Sequence, residues 1–103
     1  MDAKTLSLPK LNQLKPTLES TALKLMEEAG ELAQVIGKYR GLSGEQVHLD
    51  EKTIVNQIAK ELLDVAQTAV TMMFVMEEQF GLNIETLLQE HWQKMEDKGY
   101  LMR

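Results

Sequence analysis

The stretch from residue 51 to 79 constrains the fold more than any other part of the chain. Val55, Ile58, Leu62, Val65, Ala66, Ala69, Met73, Met76 and Phe80 recur on one face at helical spacing. Asp50 supplies an N-cap before the stretch and Gly81 a stop after it. Val70, Met72, Phe74 and Val75 then make the second half apolar nearly all round. A helix apolar on every side must be buried on every side, and 103 residues offer too few partners to do that alone. A homo-oligomer, at least a dimer, is therefore expected.

A second long helix is predicted over about residues 16–39. Pro16 opens it, Lys38 and Arg40 suit its C-terminal dipole, and Gly41 ends it. Leu18, Ala22, Leu25, Ala29, Leu32, Ile36 and Tyr39 alternate steps of four and three along it, the spacing of a packed seam. Residues 41–49 form a connection around Ser43-Gly44 that has room for a short helix. Asn83 caps a third, shorter helix over about residues 84–98, with Ile84, Leu87, Leu88, His91 and Met95 on its apolar face. Residues 1–15 read as weakly structured or as one short helix. The expected fold is a single all-α domain, 1–103: an antiparallel bundle of two long helices and a shorter C-terminal one, completed by oligomerisation.

Composition narrows the chemistry. Without cysteine there is no disulfide framework and no thiolate zinc site, so any metal is held by oxygen or imidazole. A net charge of -5 argues against a DNA- or RNA-binding surface. Residues 1–10 lack the continuous apolar core of a signal peptide, and the longest apolar stretch, residues 69–76, is too short to span a bilayer, which gives a cytoplasmic expectation and no membrane partner.

Two acidic pairs stand against this background, Glu28 with Glu31 and Glu61 with Asp64. Acids three apart on a helix project together, and their repulsion weakens a bare helix slightly, so a cation is expected between them. On a helical wheel each pair lies to the same rotational side of its own apolar seam. Antiparallel neighbours on a common core then turn these flanks toward each other, with Glu28 near Asp64 and Glu31 near Glu61. Gln34, Val35 and Gln57 fall toward one end of this groove, and Lys24 and Thr68 toward the other. Four carboxylates with no His or Cys suit Mg²⁺, or Mn²⁺. Glu27 points elsewhere on the wheel.

The arrangement Glu27, Glu28, Glu31, then Glu61, Asp64 resembles the E-E-x-x-E and E-x-x-D signature of the MazG-like, all-α nucleotide pyrophosphohydrolases. The similarity runs over residues 23–37 and 59–69. It implies a Mg²⁺-dependent helical dimer or tetramer that hydrolyses a nucleoside triphosphate to monophosphate and pyrophosphate. By the same resemblance Glu28, Glu31, Glu61 and Asp64 are metal ligands, and Glu27 takes part in catalysis by orienting or deprotonating water. The gap between Glu31 and Glu61 is at the long end of the family's range and the N-terminal helix looks abbreviated, which leaves the nucleotide open. Phosphoribosyl-ATP or dUTP/dCTP pyrophosphohydrolysis is the close alternative, and a non-catalytic nucleotide- or protein-binding helical module the alternative of another class.

Other side chains are weaker substrate-binding candidates. Lys94 and Lys98 stand near the end of the third helix, where cations also simply suit the dipole. Lys24 and Lys38 lie on the acidic side of the first helix, and an i,i+4 pairing with Glu28 accounts equally for Lys24. Trp92 is able to stack on a base, although a lone Trp in a small helical chain is commonly a packing residue. His48 and His91 lack partners at ligand spacing.

Overall fold

A computed structural model describes residues 2–41 and 50–102. These contain α1 (Leu18–Tyr39), α2 (Glu51–Phe80) and α3 (Ile84–Asp97), and no strand. The expected short helix around residues 41–49, and His48 with it, fall outside the described residues from 42 onward.

Local chemistry explains each boundary. α1 begins two residues later than Pro16 because Thr17 is the cap: its hydroxyl accepts from the Ser20 N–H at 3.0 Å, and the Thr17 N–H donates to Ser20 Oγ at 2.8 Å. Asp50 accepts from the Thr53 N–H at 2.8 Å to open α2. Gly81 closes α2 with φ of 67°, a left-handed conformation costly for any residue with a Cβ. Asn83 caps α3 through the Thr86 N–H at 3.2 Å.

α1 and α2 are antiparallel. Tyr39, at the end of α1, donates to Glu51 Oε1 at the start of α2, at 2.8 Å, while Thr21 and Lys24 share a cavity with Thr68 and Thr71 near the other end. The most deeply buried positions are not those of the apolar seams, much of which is half-buried. Buried side chains on α1 are Thr21, Glu28 and Val35, and on α2 Ile54, Thr68, Thr71 and Val75. Both helices are thus turned toward their acidic flanks, leaving Ile36, Val55, Leu62, Met73 and Phe80 exposed. Glu28 is itself buried among these interface positions rather than beside them.

α3 buries none of its side chains, and nearly all interhelical packing is between α1 and α2. The radius of gyration, 16.9 Å, exceeds the roughly 13 Å usual for a compact domain of this length. Residues 2–17 contain no helix; a turn at Asn12-Gln13 leads into an extended approach to Thr17. This segment is tied to α2, where Gln67 Nε2 donates to the Pro9 carbonyl at 2.9 Å and Lys10 pairs with Glu78.

Candidate metal centre

Counting by sevens explains which side chains meet. Thr21, Glu28 and Val35 follow one another along α1, and Ile54, Glu61, Thr68 and Val75 along α2, so each acid occupies a contact position in a coiled-coil-like series. The buried threonines satisfy their own hydroxyls within their helices. Thr21 Oγ1 donates to the Thr17 carbonyl at 2.8 Å and Thr68 Oγ1 to the Asp64 carbonyl at 3.0 Å, which leaves their methyl groups free to pack. The glutamates have no such internal outlet.

Glu28, Glu31 and Glu61 converge, one oxygen from each lying within 4.8 Å of the others. Glu28 is 7 % exposed, and the other two are more open. Lys24 stands beside them, its ammonium 3.1 Å from Glu28 Oε1 and 3.9 Å from Glu27 Oε1. The hydrogen bond to Glu28 and the charges of Glu27 and Glu28 raise the Lys24 pKa above its ordinary value. Across the cluster, the charge of Glu28, then partial burial, then Glu61 and Glu27 push the Glu31 carboxyl up. One lysine leaves the cluster under-compensated.

The second oxygen of Glu28 and the second oxygen of Glu61 are buried and lack a hydrogen-bond partner. A buried carboxylate oxygen without a partner is costly. Two of them in one all-oxygen cluster fit a hard divalent cation as the missing partner.

Among the residues singled out from sequence, Glu28, Glu31 and Glu61 are brought together and Lys24 is paired with Glu28. Asp64 is exposed and outside the three-carboxylate cluster; it joins Glu28 in lining a neighbouring cavity of about 440 Å³. Glu27 is exposed on the outer side of Lys24. Lys38 is ten residues from Glu28, about 15 Å along the helix. Lys94 and Trp92 on α3, and Lys98 at its C-cap, do not line the cavity; Trp92 lines a separate cleft with His91 and Tyr100.

Sequence reasoning missed most of the cavity. Its walls include Leu11, Leu14 and Pro16 from the N-terminal segment and Gln67 and Thr71 from α2. The seven-residue series running through Glu28 and Glu61 was the available signal for the buried threonines. No local pattern announces the N-terminal wall, because that segment has no periodicity.

In comparisons with known proteins, a family model described as the MazG nucleotide pyrophosphohydrolase domain matches residues 16–99. No curated protein and no solved structure matches the chain significantly.

Proposed function

The chain belongs to the MazG nucleotide pyrophosphohydrolase family, and on that premise we propose that it is a metal-dependent enzyme converting a nucleoside or deoxynucleoside triphosphate to its monophosphate and pyrophosphate. The observation that carries this reading is the pair of buried, unpartnered oxygens of Glu28 and Glu61 within an acidic cluster. Glu28, Glu31 and Glu61 would hold Mg²⁺, or Mn²⁺, with Asp64 reaching in from the cavity side. A bound cation supplies neutralisation of polyphosphate charge and a more acidic water.

The chain's own residues do the rest. Lys24 offsets the glutamates and stands at the cavity edge, where its ammonium would meet a phosphate oxygen of the substrate. Glu27, exposed and held near Lys24, accepts the proton of the attacking water. The water oxygen bonds to phosphorus, the anhydride P–O bond breaks, and pyrophosphate leaves. The cavity beside Glu28 takes the sugar and base.

Homo-oligomerisation belongs to the same reading. Leu62, Phe80, Val55 and Met73 are 42–57 % exposed, and a second copy is the partner that covers such a face. Lys94 and Trp92 on α3, Lys98 at its C-cap, and Lys38 act on substrate only through that association. Among the described residues no helix is long and apolar enough to cross a membrane; a cytoplasmic location is part of the proposal.

The test is pyrophosphate release from a panel of canonical and modified nucleoside triphosphates, dUTP, dCTP and phosphoribosyl-ATP, with Mg²⁺ and Mn²⁺. Turnover of one class names the substrate. No metal-dependent turnover of any member would overturn the enzymatic reading in favour of a binding module.

A further inference from the structure

Residues 11–16 are a thin partition. Leu11, Leu14, Lys15 and Pro16 line the cavity above Glu28 on one side, and the same four line a second cavity of about 460 Å³ against Phe74 and Glu78 on the other. With space on both sides the segment is only loosely packed: Leu11 and Pro16 are half-buried, and Leu14 is 61 % exposed. It is held at its ends. The capping box at Thr17 fixes one end to α1. At the other, Gln67 holds the Pro9 carbonyl, and the Lys10 ammonium pairs with Glu78 and lies 5.8 Å from the centre of the Phe74 ring. Pro9 and Pro16 restrict φ close to both ends of the segment.

From this geometry we infer that residues 9–16 are a latch over the substrate cavity, and that Lys10 is a positioning residue whose grip on Glu78 and Phe74 sets how tightly substrate is held. The inference rests on the cavity being the nucleotide site proposed above. Lys10 does not line that cavity; it acts through the wall it anchors. An exposed ion pair is a weak tie, which suits an anchor that opens for substrate entry and product exit.

The experiment compares native protein with Lys10→Glu, Glu78→Lys and the double charge swap, using the triphosphate turned over fastest in the panel. A latch requires both single variants to raise KM, by about three- to tenfold, with kcat within about twofold, and the swap to restore KM. A purely electrostatic influence on a polyanionic substrate gives opposite results for the two singles, with Glu78→Lys lowering KM. That outcome, or unchanged KM in both, overturns the latch. Hydrogen exchange at the amides of residues 11–15 gives a readout independent of turnover. Faster exchange in both singles, reversed by the swap, supports the latch even if no nucleotide is hydrolysed, whereas unchanged exchange counts against it.

Discussion

Where α1 meets α2, four of the seven buried side chains among the described residues are polar: Thr21, Glu28, Thr68 and Thr71. On the outward faces of the same helices, Ile36, Met73, Leu62 and Phe80 are 40–57 % exposed. An ordinary helix pair does the reverse, because burying apolar area stabilises by about 25 cal/mol per Å² while burying a carboxylate is costly. The inversion has a physical reading. On the proposed function, the inner face is organised around charge that a cation would compensate, and the outer face is left for a second copy to cover. Stability of the folded chain would then be linked to two ligands, a metal and another subunit.

The largest break in this comparison comes from the inner face. Glu61→Gln should lower metal-dependent pyrophosphate release by about a hundredfold or more, since on the proposed function it removes a cation ligand. In the absence of metal the same variant should melt no lower than native protein, because a mutually repelling charge is gone. A lower melting temperature without metal would mean that Glu61 is bonded for stability rather than for a cation.

Leu62→Glu on the outer face should act in the opposite sense, weakening self-association by about 2 kcal/mol or more while leaving Mn²⁺ binding by the folded protein intact. Sedimentation velocity over a concentration series reads the first effect and Mn²⁺ titration the second. An unchanged oligomeric state would show that this face is covered by something else.

Thr17→Ala, which touches neither face, should cost about 1 kcal/mol in thermal unfolding through loss of the α1 cap. It calibrates what an ordinary local defect does to this fold. The smallest effect expected is the pH response of Glu31 in metal-free protein. Its folded pKa is raised, chiefly by Glu28, so the folded state holds that proton more tightly than the unfolded chain does. The resulting stabilisation is complete below the ordinary value of 4.5 and is lost as pH rises through the folded pKa. Glu31→Gln should therefore gain melting temperature relative to native protein as pH rises across that window, and saturating Mg²⁺ should abolish the gain. A pH-independent difference would separate Glu31 from the acidic cluster.

Much of this was legible in the residues themselves. The caps Asp50, Asn83 and Gly81 mark helix ends because each satisfies or releases backbone groups locally, and the three-residue spacing of the acids puts each pair on one side of its helix whatever the partner. The helical wheel turned the acidic flanks toward each other, but the extent of the rotation was not legible: Glu28 and Thr68 are buried, much of each apolar seam is only half-buried, and Ile36 and Leu62 are exposed. Periodicity along one helix says which residues share a face; it is silent on which face meets which neighbour.

The sequence by itself determined an all-α chain with two long helices, each carrying acids three apart, because capping and helical spacing are local physics. Only the tertiary structure decided that Glu28, Glu31 and Glu61 form the cluster while Asp64 stands at the cavity edge, and that residues 11–16 wall that cavity. Interhelical rotation and the course of an aperiodic segment depend on contacts between residues distant in sequence, such as Lys10 with Glu78 and Pro9 with Gln67, and no local pattern encodes them.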